Sequence, residues 1–469
     1  MSVRKAVIRI PALLLLTFGC TGCTELFALF GPGGVFGPGA GVLGSTSRQQ
    51  SIPAPTFNVS QLDPAFEATS GAKVIVVADM DGDGRQDLVS GSNENQPIQL
   101  HLRTGVASVV SFDTFTIAGG GPIARMVDLA ARDLDGDGRL DVAVLVNDTG
   151  FVPVDGASIR GSVSLLFAPA DPREALQWAH VTIDEIFNIP GDGKGLTDFA
   201  VVDMNGDNLP DIVLASNEVD DTDVIRLFLN PGGAAARVGA NWVQAALPLT
   251  ADVNQITSME VVDIDGDGDL DIVGSFPTAK TFNIRWLQNP FVESGAGAVA
   301  AGNWTARFLG QQAEADPDNQ GGDYIAAGDI DGDGDIDIAA AHASLGLIQW
   351  FENPGPDRVT LQTFPWRVFN LGQLQSGVTI NQLQLVDLNL DGQLDAFATA
   401  SGNMVGFQPG NELFDFWLGF SILATNPVAD IGRCAFVDVN ADSRLDILAP
   451  IDRVGLSTDQ FMIFTRTSP

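Results

Sequence analysis

The pattern Asp-x-[Asp/Asn]-x-Asp-x-x-x-Asp recurs seven times in this chain, starting at Asp79, Asp133, Asp203, Asp263, Asp329, Asp387 and Asp438. The clearest copy is Asp263, Asp265, Asp267 and Asp271 within VDIDGDGDLDIVG. Four carboxylates inside nine residues repel one another, so the segment makes physical sense when a hard cation lies among them. Successive starts are 51 to 70 residues apart. That spread argues against the fixed rungs of a solenoid and for small sheets joined by loops of unequal length. Length alone, 469 residues, suggests about three domains, but repeats of one unit make one domain.

The same elements recur around each motif. An apolar run leads in (VIVVAD, TDFAVVD, YIAAGD, LQLVD) and another leads out (DIVLAS, DIAAAH, DAFATA). Both are rich in Val, Ile and Ala, as inner strands covered on two faces require. A third strand follows, IRLFLNPGG from Ile225, IRWLQNP from Ile284 and IQWFENPGP from Ile348, closed by Asn-Pro and Gly turn residues. A shorter stretch with an aromatic comes next, as in FDTFTIAG from Phe112, NWTARFLG from Asn303 and PWRVFNLG from Pro365. Four strands per unit without helical periodicity predict an all-β fold, a seven-bladed β-propeller of four-stranded antiparallel blades.

The chain ends test that count. After the seventh motif comes FMIFTRT, a third strand, and then the sequence stops. The missing fourth strand is expected at the other end, where TFNVSQL (56–62) precedes the first motif. This segment is predicted to complete the last blade and hide the open edges of the ring. With these features the motifs resemble the calcium loops of the FG-GAP/VCBS repeat family, which includes the seven-bladed head of integrin α subunits. The resemblance covers about residues 55–469 and implies Ca²⁺ held between the first two strands of a blade.

A Ca²⁺ ion takes six to eight oxygens, and a tight loop supplies them from alternate residues plus one carbonyl. By position, side-chain oxygens come from 1, 3, 5 and 9 and the carbonyl from 7. Site one is then Asp79, Asp81, Asp83 and Asp87 with the carbonyl of Arg85, and site two Asp133, Asp135, Asp137 and Asp141 with Arg139. Site three is Asp203, Asn205, Asp207 and Asp211 with Leu209, and site four Asp263, Asp265, Asp267 and Asp271 with Asp269. Site five is Asp329, Asp331, Asp333 and Asp337 with Asp335, and site six Asp387, Asn389, Asp391 and Asp395 with Gln393. Site seven is Asp438, Asn440, Asp442 and Asp446 with Arg444. Asn replaces one charge in sites three, six and seven, so weaker affinity is expected there. Leu390 and Ser443 stand where Gly is usual, and site seven is expected to be the weakest. An EF-hand would close with Glu at position 12; Ser90, Val144 and Gly274 are there in sites one, two and four. The plain alternative, metal-free Asp-Gly turns, suits one copy better than seven.

Composition bounds the partners. The formal net charge is −35, with Lys5, Lys73, Lys194 and Lys280 as the lysines, so polyanions such as nucleic acid are repelled. Seven divalent ions would offset about 14 of those charges. At the N-terminus, Arg4, Lys5 and Arg9 precede an apolar run, Ile10–Phe18, too short to span a bilayer. That pattern reads as an export signal over residues 1–23. Its end, FGCTGC, resembles a bacterial lipobox, with Cys20 or Cys23 as the acylated residue. Residues 24–54, rich in Gly, Pro and Ser, read as a flexible tether to the 55–469 propeller. The expected location is the cell envelope or surface, lipid-anchored or else secreted. Cys434, in CAFVDV, is expected to be a buried free thiol.

Little points to catalysis. His101, His180 and His342 are far apart, Tyr324 is the lone tyrosine, and no nucleophile motif, phosphate loop or zinc spacing occurs. Trp178, Trp242, Trp304 and Trp366 recur at one blade position, as packing residues do. The expectation is a non-enzymatic, calcium-bearing recognition or adhesion module with a protein or glycan ligand. A propeller polysaccharide lyase, or a structural subunit of an envelope assembly, are the alternatives. A lyase acting on uronates needs cationic groups and a base, which so acidic a body supplies poorly.

Overall fold

A computed structural model describes the strands and acidic loops between residues 56 and 466. Residues 1–55 and 467–469 lie outside the described residues, and so do connecting loops, chiefly 63–71, 149–158, 188–194, 217–223, 248–255, 277–283, 310–323, 410–416 and 454–459. The expected export signal, lipobox and tether therefore fall outside them, as do Asn389 and Leu390 of site six.

The strands form seven sheets, each an antiparallel meander. Blade 1 consists of Ala72–Ala78, Asp87–Ser92, Ile98–Arg103 and Phe112–Ala118, paired in that order. Blade 2 starts at Ala124–Arg132, blade 3 at Leu196–Val202, blade 4 at Ser258–Val262, blade 5 at Tyr324–Gly328 and blade 6 at Ile380–Val386. In blade 7 the first strand is split into Ala429–Ile431 and Ala435–Val437, both on Asp446–Arg453, with Gln460–Arg466 third. The fourth strand of that sheet is Phe57–Gln61, antiparallel to Gln460–Arg466 from Phe57↔Arg466 to Gln61↔Met462. The ring closes as the sequence predicts.

Apolar side chains of the second strands point alternately to the two neighbouring blades, which is why these strands read as unbroken apolar runs. Val213 and Ala215 join blade 4, whereas Ile212 and Leu214 join blade 2. Among the described residues the buried side chains sort into seven clusters, one for each interface around the ring. Trp178, Trp242, Trp304 and Trp366 are buried in them, joined by Trp417 of blade 6. Trp178, Trp242 and Trp304 donate their indole N–H to the carbonyls of Pro172, Ala236 and Val299. These bonds anchor insertions between the third and fourth strands, where short helices (Gly233–Ala236, Phe291–Ser294 and Ala296–Ala300) occur that the strand pattern does not foretell.

Five residues before each motif lies a belt of mostly polar residues: Val74, Asp128, Asp198, Ser258, Tyr324, Gln382 and Arg433. Several reach the next blade. Asp198 Oδ2 accepts the N–H of Met259 at 3.0 Å, and Ser258 Oγ that of Ile325 at 3.3 Å. Gln382 exchanges two bonds with the Cys434 backbone, at 2.8 and 2.9 Å. Arg433 donates its backbone N–H to Lys73 O in blade 1 and its guanidinium, across the axis, to Asp128 and Asp198 of blades 2 and 3. Burial alone would lower the pKa of that guanidinium, but the two carboxylates outweigh it and hold Arg433 firmly charged. Glu260, partly buried on the first strand of blade 4, feels the charges of the same cluster. Burial and the nearby Asp198 push its carboxyl up to about 8.

Removing one partner of an enclosed charge cluster costs more than the cluster contributes, because the others are left uncompensated. Arg433→Ala is expected to lower stability by about 3 kcal/mol or more, with partial recovery when Asp128→Asn and Asp198→Asn are added. Denaturant melts of the three variants check this; an unchanged midpoint for Arg433→Ala would remove the axial cluster from the account.

Candidate metal centres

Each motif is the hairpin loop between the first two strands of its blade. The residue before position 1 pairs with the ninth-position Asp in all seven: Ala78↔Asp87, Arg132↔Asp141, Val202↔Asp211, Val262↔Asp271, Gly328↔Asp337, Val386↔Asp395 and Val437↔Asp446. The first Asp organises the loop by accepting its backbone amides. Asp79 takes those of Asp83 and Gly84 at 3.0 and 2.9 Å, and Asp438 those of Asp442 and Ser443 at 3.0 and 2.7 Å. The same bond, from the amide of position 6, is made by Asp133, Asp203, Asp263, Asp329 and Asp387.

Tight turning forces positions 4 and 6 into the left-handed region. Glycine holds both in most loops, as at Gly82 (φ 75°) and Gly84 (φ 86°). In site seven Ala441 (φ 56°) and Ser443 (φ 65°) hold them instead, and in site three Asn208 (φ 65°) holds position 6. A Cβ in this region costs about 1–2 kcal/mol, least for Asn. Among the described residues, site seven therefore carries the most non-glycine left-handed backbone of any loop.

The ninth-position Asp is fully or almost fully buried in every blade. One oxygen accepts the N–H of position 2 and the other an N–H at the end of the third strand. For Asp271 the donors are Ile264 (3.2 Å) and Asn289 (2.7 Å), and for Asp87 they are Met80 (2.9 Å) and Arg103 (2.8 Å). Site six breaks the rule. Leu388 donates to Asp395 Oδ2 at 2.8 Å, but the residue in register with Asn289 is Pro409, which has no N–H. Asp395 Oδ1 is left buried without a hydrogen-bond partner, and the neighbouring Gln408 side chain compensates only weakly.

Burial drives these carboxyls up. Asp87 rises to about 6, Asp141, Asp211, Asp337 and Asp446 to about 7, Asp395 to about 8 and Asp271 to about 9. In each, desolvation outweighs the backbone donors, and neighbouring loop carboxylates add to the rise. Seven buried acids disfavoured in their charged form are seven places where a cation would be favoured.

The structure brings the acids together most closely at sites one, two and four. There positions 1, 3 and 9 (Asp79, Asp81, Asp87; Asp133, Asp135, Asp141; Asp263, Asp265, Asp271) each offer one oxygen within 4.8 Å of the others. At site five the convergent set is Asp329, Asp331 and Asp333. In site three Asn205 Oδ1 accepts the N–H of Asp207 at 3.0 Å, and in site seven Asn440 Oδ1 that of Asp442 at 2.9 Å. Hard oxygen donors of this kind, with no sulfur or imidazole among them, fit Ca²⁺ or a similar hard cation.

Insertions from the following blade lie over the loops. Arg173 of blade 2 donates to Asp81 at 2.7 Å, and Arg237 of blade 3 to Asp135 at 2.5 Å. Arg85 and Arg139 turn their own side chains onto Asp83 and Asp137, and the Arg85 guanidinium holds Asp83 below its usual range. Over site three the cover is apolar: a Cβ on Gly206 would lie 2.1 Å from the Phe291 ring. At site four the partner of Asp265 is an amide rather than a guanidinium. Gln288 donates to Asp265 at 2.7 Å, and Asp267, Asp269 and Glu293 form a further convergent acidic group beside it. Asp265 Oδ1 and Asp269 Oδ1 are buried without a hydrogen-bond partner, and burial raises these carboxyls to about 6 and about 7. The sequence pattern assigns Asp263, Asp265, Asp267 and Asp271 with the Asp269 carbonyl to this site, but it gives no role to the Asp269 side chain or to Glu293, because nothing in VESGAG marks the latter as a neighbour of the loop.

The histidines differ in exposure: His180 is exposed on the fourth strand of blade 2, whereas His101 and His342 are buried. His101 is fully buried, within 2.8 Å of Ser90 Oγ and 2.9 Å of Thr114 Oγ1, a three-residue chain across blade 1 with no access for a substrate. His342 is buried. Cys434 is a buried free thiol as expected, its pKa raised by burial.

Two predictions follow from the ninth-position acids. Their folded pKa values lie above the unfolded value near 4, so between the two the folded chain binds more protons and stability falls as pH rises. In chelator the melting temperature is expected to fall from pH 4.5 to pH 8. Calcium, which binds the ionised form, is expected to flatten or reverse that slope. A melting temperature that climbs with pH in chelator contradicts it. Separately, Pro409→Ala restores a donor to Asp395. A hydrogen bond to a charged group contributes about 1.5–3 kcal/mol, and losing proline's restraint on the unfolded chain costs about 0.4–1. A gain of about 1 kcal/mol at pH 9 is expected, read from denaturant midpoints; a loss there would show that Asp395 Oδ1 is already satisfied.

A sequence profile described as an FG-GAP-like repeat matches residues 64–144 and 188–274. No curated protein matches the chain. Among solved structures it is similar to YCF48 from Cyanidioschyzon merolae, at 9% identity and TM-score 0.46, covering 87% of this chain and 98% of that one. It is also similar to a lectin from Agrocybe aegerita described as specifically recognising non-reducing terminal N-acetylglucosamine, at 14% identity and TM-score 0.47, covering 83% and 87%. A third is the Dos1 propeller, at 12% identity and TM-score 0.43, covering 86% and 95%. With its strand order, ring closure and loops, the chain is a seven-bladed β-propeller that carries FG-GAP-like repeats at residues 64–144 and 188–274.

Proposed function

We propose that this protein is a calcium-stabilised, non-enzymatic recognition or adhesion module displayed on a bacterial cell envelope. The observation that carries the metal part is the convergence of the first, third and ninth carboxylates in sites one, two and four. Bound there, Ca²⁺ would supply charge neutralisation and a fixed centre for each hairpin, held by the loop residues named above. The non-enzymatic part is supported by the placement of the titratable groups. His101 and His342 are buried in different blades, and Tyr324 lies on an innermost strand of blade 5. Display at the envelope rests on the export pattern and tether of residues 1–54, and the ligand, a protein or a glycan, would meet the loops that join the strands.

Extracellular calcium modules often have dissociation constants near 10⁻⁴–10⁻³ M, so millimolar calcium adds about 1 kcal/mol for each filled site. Melting in millimolar calcium against chelator is expected to show a rise of several degrees. Glycan and protein arrays probed with the full chain are expected to give hits that disappear in chelator. Identical melting in the two buffers would remove calcium from the proposal. Turnover of a uronate polymer to unsaturated products would replace recognition with lyase activity.

A further inference from the structure

The Asn-Pro dipeptides that end the third strands of blades 3, 4 and 5 do more than turn the chain. Asn230, Asn289 and Asn353 are buried, and each makes four hydrogen bonds of one pattern. The backbone N–H goes to the ninth-position Asp of its own blade: to Asp211 at 2.8 Å, Asp271 at 2.7 Å and Asp337 at 2.7 Å. One side-chain N–H goes to the position-8 carbonyl of its own loop: Pro210 at 2.9 Å, Leu270 at 2.8 Å and Ile336 at 2.9 Å. The second goes to the position-2 carbonyl of the preceding blade's loop: Leu134, Met204 and Ile264, each at 2.9 Å. The side-chain oxygen accepts a local amide two residues on.

Every donor of the side chain is thereby used. The position-2 residues complete a relay, because their own N–H groups bond the ninth-position Asp of the preceding site. A continuous hydrogen-bonded path runs Asp141, Leu134, Asn230, Asp211, Met204, Asn289, Asp271, Ile264, Asn353, Asp337. It joins sites two, three, four and five. At the matching register, blades 2 and 6 have Ala168 and Pro409, which carry no side-chain amide, and blades 1 and 7 have Arg103 and Arg466.

We infer that Asn230, Asn289 and Asn353 couple neighbouring cation sites, so that ion binding in blades 2 to 5 is cooperative while site one titrates independently. The inference rests on the reading of the loops as calcium sites. An ion that draws the ninth-position carboxylate toward itself pulls on the third-strand end and, through the Asn side chain, on the adjacent loop. Order gained in one loop then lowers the cost of ordering the next. The path is contiguous, but contiguity alone does not establish coupling, so the test measures coupling directly.

The experiment is hydrogen exchange of the full chain over a calcium titration, with the midpoint of protection read separately in each loop. Disabling site four by Asp263→Asn with Asp267→Asn is expected to raise the calcium midpoint of loop 203–211 by about fivefold, at the lower end of ordinary allosteric coupling. Loop 79–87 is expected to keep its midpoint. In an Asn289→Ala background the same disabling is expected to leave loop 203–211 at the midpoint that Asn289→Ala alone gives it. A merely structural asparagine would lower the melting temperature without abolishing that difference. Asn230→Ala, with site three disabled by Asp203→Asn and Asp207→Asn and loop 133–141 observed, provides an independent second pair if one variant folds poorly. Loops that are protected by calcium but indifferent to their neighbours would overturn the coupling alone. Loops that calcium does not protect would overturn the calcium reading and the coupling with it.

Discussion

The ninth carboxylate of each loop is the contact on which the rest of the architecture depends. It is buried at the point where the first hairpin and the end of the third strand meet, and in every blade but the sixth it accepts one amide from each. Hydrogen bonds to an ionised acceptor are about twice as strong as neutral ones, yet seven acids in this position still have pKa values raised by desolvation. The donors fix where the carboxylate is, and they do not neutralise it. A cation would do so, which makes stability and metal affinity two aspects of the same seven residues. An Asn in that place would remove the charge and also one of the two acceptors, so the fold has physical reason to keep an acid there.

Much of this was legible in the linear sequence, because two features are strictly local. Strands packed on both faces must be apolar throughout, so the runs around Val213 and Ala339 announce themselves. The hairpin loop carries its chemistry within nine residues. Ring closure was legible from arithmetic, a third strand at the C-terminus with its partner at Phe57–Gln61. Contacts between blades were not. Asn289 reads locally as half of an Asn-Pro turn, and its bond to Met204 spans 85 positions. Arg433 meets Asp128 and Asp198 across the axis, and its motif offset, five residues before Asp438, carries meaning only once the strands are aligned in space. Glu293 joins site four from a short helix with no pattern of its own.

The seven loops share a plan and differ in electrostatics. Sites one and two already have guanidinium groups on their third and fifth carboxylates, from Arg85 and Arg173 and from Arg139 and Arg237. These pairs are partly exposed, so each contributes modestly, but they place positive charge where an ion's own charge would act. Site four is the opposite case. Six acids gather there, and two of their oxygens are buried without hydrogen-bond donors. The number of charged ligands, which ranked sites three, six and seven as weaker, is therefore one of two variables. The other is what the next blade lays over the loop, and that is invisible until the ring is closed.

An excess of 35 negative charges would ordinarily strain a compact fold through self-repulsion. Here much of that charge is gathered at seven separate hairpins, each more than fifty residues from the next along the chain and one blade away in space. Local repulsion is then strong, and a cation at each site would relieve it there, while repulsion between sites is weaker because a blade lies between them. The Asn relay works within this arrangement: it transmits geometry from loop to loop through uncharged amides, so neighbouring sites can assist one another in ordering without their carboxylates coming together. Blades 2 to 5 thereby form a continuous arc of linked loops, and the breaks at Ala168 and Pro409 bound it on either side. If the loops take calcium as proposed, ions in this arc would hold its loops in register when calcium is abundant, and those loops would loosen together when it is scarce.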